Sequence, residues 1–227
     1  MKKIKVFFAA VAVICVATAG AFAVVDRDAE TPDEAVALLK EGNERFLRKQ
    51  LEHPGLKAAR MKDFAAVGQK PFAAVLGCSD SRVPVVEIFD SSIGDIFVIR
   101  VAGNVAMDPV VIGSAEYAAG TLEAPVLVIL GHTGCGAVKA AISGASLEGG
   151  MRDIQKKIEP AVSTVKAEHP GLEDSALTTA VVKANVLQAE KDLLAASPTI
   201  ARLVADGKIR IVAAVYDLET GVVEWLE

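Results

Sequence analysis

The chain has 227 residues, a formal charge of −5 and 52% hydrophobic residues, enough for one domain with a full core. An acidic balance without a basic stripe excludes nucleic acid as an expected partner. No repeats, low-complexity tracts or long linkers divide the chain.

Lys2, Lys3 and Lys5 open a basic segment, residues 6–18 carry no charge, and Ala21-Phe22-Ala23 follows as a small-x-small site. This pattern predicts an export signal over residues 1–23, with a single domain over 24–227. The apolar run is short for a membrane span; an uncleaved N-terminal anchor is the alternative. Cys15 lies inside that run with no small-residue box before it and is not read as a lipidation site. Removing the signal moves the formal charge from −5 to −8. The expected location is the periplasm of a bacterium, with no membrane association after cleavage.

Thr31-Pro32-Asp33-Glu34 reads as a capping box with Pro at the first helical position. It predicts an N-terminal helical arm reaching about residue 49, followed by a shorter helix over 56–66. Continuous apolar runs at 72–77, 96–99, 126–130 and 209–215 read as strands buried on both faces. Between them, helices are expected over 84–89, 109–122, 137–143, 151–167, 173–196 and 198–205. Residues 221–226, after a tight Glu219-Thr220-Gly221 turn, read as an antiparallel edge strand. Strands alternating with helices predict an α/β fold, a mostly parallel sheet with helices on both faces.

Two motifs follow strands. Cys78-Ser79-Asp80-Ser81-Arg82 comes after the first, and His132-Thr133-Gly134-Cys135 after the third. Ligands of open α/β sheets bind beyond the carboxyl ends of strands, where strand order reverses. If the first and third strands are neighbours, as in the order 2-1-3-4, the two motifs meet in one crevice. Cys78, His132 and Cys135 would then make a three-ligand zinc shell with a fourth position free, the pattern of a catalytic zinc. The plainer alternative is a disulfide between Cys78 and Cys135, since exported compartments favour bridges. Asp80 and Arg82 are candidates for a bidentate pair tuning the metal. The rivals are direct ligation of zinc by Asp80, which would close the site, and an ordinary surface ion pair.

Taken together, Cys-Ser-Asp-Ser-Arg and the later Gly-His-Thr-Gly-Cys-Gly resemble the β-class carbonic anhydrases, most strongly over residues 69–139. The resemblance implies zinc-dependent hydration of carbon dioxide to bicarbonate, by attack of a zinc-bound hydroxide. It implies a sheet in 2-1-3-4 order with a fifth, antiparallel edge strand, and dimers or tetramers. It places one Zn2+ per protomer on Cys78, His132 and Cys135, and a catalytic dyad on Asp80 and Arg82. It places substrate contacts on Gln69, Phe97, Ala102, Gly103 and Tyr117, with Gln69 coming from the same or a partner protomer. Members regulated by bicarbonate carry a Trp three residues before the first ligand Cys; here that position is Val75, and the only Trp is Trp225. This favours the type in which Asp80 pairs with Arg82 rather than zinc. Arg100 matches an Arg of the regulatory site that also occurs in open-site members.

Two alternatives accompany this reading. One is hydrolysis of carbonyl sulfide or carbon disulfide, linear molecules suited to the same attack. The other is a non-catalytic periplasmic zinc-binding or thiol-redox protein, against which stands the wide separation of the cysteines, unlike a C-x-x-C pair. His53 and His169, each beside a Pro, read as solvated loop residues rather than proton shuttles.

Overall fold

The computed structural model describes residues 28–52, 61–62, 65–66 and 68–226. The expected export signal, Cys15, His53 and most of the helix expected over 56–66 lie outside the described residues. Among the described residues no helix is long and apolar enough to cross a membrane.

Helix α1 spans Pro32–Leu47. Its capping box is formed: Glu34 N donates to Thr31 Oγ1 at 3.3 Å, and Thr31 N donates to Glu34 Oε2 at 3.1 Å. The helix stops before the expected residue 49 because Lys49 turns left-handed, with φ of 57°. α1 lies against the body through buried Ala35 and Leu39. Gly42 admits the close approach, since a Cβ there would run into the Phe89 carbonyl. Asn43 beside it is buried; its Nδ2 donates to Ile88 O and Gly221 O at 3.0 Å, and its Oδ1 accepts from Val223 N at 3.0 Å.

The sheet contains β1 (Ala73–Cys78), β2 (Ile96–Val101), β3 (Val126–His132), β4 (Arg210–Tyr216) and β5 (Val223–Leu226) in the order β2-β1-β3-β4-β5. The first four pair parallel and β5 pairs antiparallel with β4, matching the expected arrangement. β1 and β3 are buried throughout, as continuous apolar runs require.

Alternation along the strands divides the core in two. Ala74, Leu76, Cys78, Leu127, Ile129, Ala213 and Val215 face one side. There they pack on α3 (Pro109–Glu116), α4 (Gly136–Ser143), α5 (Gly149–Glu168), α6 (Asp174–Ala196) and α7 (Pro198–Ala205) after α2 (Val85–Ile88) has been placed on the other. Ala73, Val75, Val126, Val128, Leu130 and Ala214 face that second side, covered by α1 and α2.

Other boundaries also differ from the sequence expectation. Cys78 and His132 are the last residues of their strands rather than the first of the loops. The helix expected over 109–122 is regular only to Glu116, then widens over Tyr117–Thr121, where Leu122 N reaches back five residues to Tyr117 O at 3.0 Å.

Replacing Asn43 by Ala strands three buried backbone groups at once. Asn43→Ala is expected to destabilise the fold by about 2–3 kcal/mol, read as a lowered urea midpoint with unchanged slope.

Candidate metal centre

The site begins with strand pairing. Gly77 of β1 lies opposite Leu130 of β3, so Cys78 and His132 end adjacent strands on the same edge of the sheet. Beyond His132 the chain turns sharply. Thr133 N donates to Tyr216 O at 3.0 Å, Thr133 Oγ1 accepts from Leu218 N at 3.0 Å, and Gly134 takes a φ of 67°. That left-handed residue suits Gly and returns the chain so that Cys135 leads into α4. The ligand atoms of Cys78, His132 and Cys135 all lie within 4.8 Å of one another. All three residues are buried.

His132 Nδ1 lies 3.0 Å from the Thr133 carbonyl oxygen. A carbonyl only accepts, so Nδ1 carries the proton and Nε2 offers a lone pair. Nε2 is buried and has no hydrogen-bond partner among the described residues. A buried polar atom without a partner is costly, and a cation at this point would satisfy it. Sulfur, nitrogen and sulfur is a donor set suited to zinc, and a backbone carbonyl on the far ring nitrogen is the usual orienting contact of a metal-binding His.

The two sulfurs interact. The Cys135 thiol pushes the Cys78 pKa down, helped by the backbone N–H groups of Asp80 and Gly103. Gly103 N donates to Cys78 Sγ at 3.3 Å. Cys135 is pushed up by that same interaction, by burial and by the charge on Cys78. Metal binding at this point would displace a thiol proton.

Arg82 grips Asp80 with a fork. Nε donates to Oδ1 at 2.9 Å and Nη2 to Oδ2 at 2.7 Å, with Arg82 N also on Oδ1 at 3.0 Å. These bonds hold the carboxyl well below the usual carboxylate range. Asp80 Oδ2 stands 3.7 Å from His132 Nε2. The loop carrying the pair is anchored from β2: Arg100 Nε donates to Cys78 O at 2.9 Å and Nη2 to Asp80 O at 2.6 Å, while Ser79 N donates to Val101 O at 3.2 Å.

The remaining sequence candidates divide. Gly103 touches the Cys78 sulfur, and Ala102 precedes it on the exposed side of the turn Ala102–Asn104. Gln69 is exposed and precedes β1, at the opposite end of that strand from Cys78; six extended residues separate the two ends by about 20 Å. Phe97 pairs with Ala74, near the amino end of β2. Its ring meets that of half-exposed Tyr117 at a tilt of 51°, with centroids 6.0 Å apart. One protomer thus does not bring Gln69, Phe97 or Tyr117 to the metal cluster. Two supports escaped the sequence reading. Arg100 was read only as a regulatory counterpart, although its fork fixes the loop. Asn185 of α6 donates to Gly103 O at 2.9 Å; its signal was a polar residue among Val181, Val182 and Val186.

The family model for carbonic anhydrase matches residues 73–223. Carbonic anhydrase 2 of Mycobacterium tuberculosis is 39% identical over 194 residues, covering 84% of this chain and 90% of its own. The carbonic anhydrase of Mycolicibacterium smegmatis is 38% identical over 197 residues, covering 85% and 92%. Among solved structures, the β-carbonic anhydrase CafA of the fungal pathogen Aspergillus fumigatus superposes with a TM-score of 0.69 at 27% identity, covering 85% of this chain and 90% of its own. The Coccomyxa β-carbonic anhydrase gives 0.68 at 26% identity, covering 79% and 82%. Sequence, sheet order and the clustered Cys, His and Cys agree: the chain belongs to the carbonic anhydrases, in their β class.

Proposed function

We propose that Cys78, His132 and Cys135 hold one zinc ion per protomer and that the site they form hydrates carbon dioxide reversibly to bicarbonate. The observation that carries this reading is His132 Nε2, buried, aprotic and unpartnered beside two sulfurs. Zinc bound there supplies a Lewis acid that makes water nucleophilic near neutral pH.

The protein's own residues do the rest. Arg82 occupies both Asp80 oxygens, which keeps the carboxylate charged and would leave it paired with Arg82 rather than with a bound zinc, the open-site arrangement. Asp80 then accepts a hydrogen bond from the attacking water and fixes the direction of its lone pair. Ala102 offers an apolar surface beside the Gly103 backbone for a nonpolar substrate. Gln69, Phe97 and Tyr117 complete the pocket from a second copy, where the amide donates to a substrate oxygen as negative charge develops. Self-association as a dimer or tetramer is supported by exposed Val98 on β2, Val110 on α3 and Tyr117 in the widened segment after α3. Residues 1–23 act as an export signal, directing the domain of residues 24–227 to the periplasm.

A zinc-to-protein ratio with stopped-flow carbon dioxide hydration tests the reading directly. Cys78→Ser is expected to lose zinc and hydration together; full activity without stoichiometric zinc would refute the assignment. Asp80→Asn is expected to keep zinc and lower turnover by at least ~10-fold, and an unchanged rate would remove Asp80 from the reaction. Protein stripped of metal and exposed to air is expected to lose both thiols to a Cys78–Cys135 bridge, counted by thiol titration. Two thiols still free would show that the sulfurs do not reach bonding geometry.

A further inference from the structure

We infer that Asn185 is a positioning residue for the metal centre, acting through the Gly103 backbone on the Cys78 sulfur. The inference rests on the reading of Cys78, His132 and Cys135 as zinc ligands.

The contact chain is short. Asn185 is 2% exposed in the middle of α6 and donates through Nδ2 to Gly103 O at 2.9 Å. Gly103 N donates to Cys78 Sγ at 3.3 Å. Both ends of one residue are therefore fixed, one on the helix and one on the sulfur. Gly103 has a φ of 70°, a left-handed conformation in which its N–H can meet the sulfur. A Cβ at that position would meet Ile158 and Ala137 side chains, so the turn is also wedged between α5 and α4. α6 can reach it because Gly131, the residue before ligand His132, has no side chain. A Cβ there would strike Val186 and Val182, the residues flanking Asn185 on the same helix face. Gly131 therefore sets the distance at which the Asn185 amide meets Gly103.

An N–H bonded to a thiolate withdraws charge from sulfur and fixes its direction toward a metal. Such outer contacts carry about 10–100-fold in metal affinity. An apolar residue at 185 would leave Gly103 O buried without its donor, freeing the turn to rotate and weakening the N–H bond to sulfur.

The experiment uses Asn185→Leu, which keeps the branched shape and the number of side-chain heavy atoms, and Asn185→Ala, with Val181→Ala as a control for core loosening one turn away. Zinc-loaded proteins are challenged with a chelator, and cobalt-substituted proteins are read by their sulfur-to-metal charge-transfer band. Both Asn185 variants are expected to release zinc at least ~10-fold faster and to move the band to longer wavelength. Val181→Ala should lower thermal stability and leave band and release unchanged. Folded Asn185 variants with wild-type release and band overturn the inference. If neither variant folds, cadmium-loaded wild-type protein decides by NMR. The Gly103 amide proton should couple to the metal through sulfur, and the Asn185 amide protons should exchange slowly. An uncoupled Gly103 proton or fast-exchanging Asn185 protons would overturn it. Failure of wild-type protein to bind stoichiometric zinc would instead overturn the ligand assignment on which it rests.

Discussion

The parallel pairing of β1 with β3 governs the centre of this molecule. From Ala74 opposite Leu127 to Gly77 opposite Leu130, the register carries two distant stretches of sequence to a common edge. Burial on both faces enforces it, because a slip of one residue would exchange the two faces of the strand. With the strands aligned, only a tight turn at Gly134 is needed to bring Cys135 back beside Cys78 and His132.

Burial also separates the work of the site. The sulfurs sit among apolar residues, where an uncompensated charge is expensive. The Cys135 thiol, and after it backbone N–H groups, favour a charged Cys78 sulfur, and a bound cation would cancel the remaining charge. The full charges of Asp80 and Arg82 stand at the mouth, with the Arg82 side chain 59% exposed. Arg100 belongs to neither group. Its guanidinium spends its donors on two carbonyls of the same loop, holding Cys78 and Asp80 in fixed relation.

Much of this was legible in the chain because it depends on local pattern. The apolar runs at β1 and β3 announce doubly buried strands, Thr31 and Glu34 announce the start of α1, and the two short motifs name their ligands. The widening of the helix at Tyr117 was not legible, since nothing in Tyr-Ala-Ala-Gly-Thr marks a change of hydrogen-bond span. Asn185 was not legible as a support because its partner is a backbone carbonyl far away in sequence. The distance between Gln69 and the cluster was available in principle: an extended strand lies between Gln69 and Cys78, so the two cannot meet within one copy. The unequal covering of the two sheet faces follows from tertiary packing and has no signature in hydrophobic period.

The three ligands are not equally anchored. His132 closes the central strand, buried along its whole length, and Cys135 leads into a packed helix. Cys78 closes β1, which is also buried throughout, but enters a loop held by Arg100, by Ser79 N on Val101 O and by Val83 N on Asp80 O. Local opening costs least where buried contacts are few. Arg100 therefore couples the end of β1 to the Asp80–Arg82 corner: losing its guanidinium would free the Cys78 and Asp80 carbonyls together.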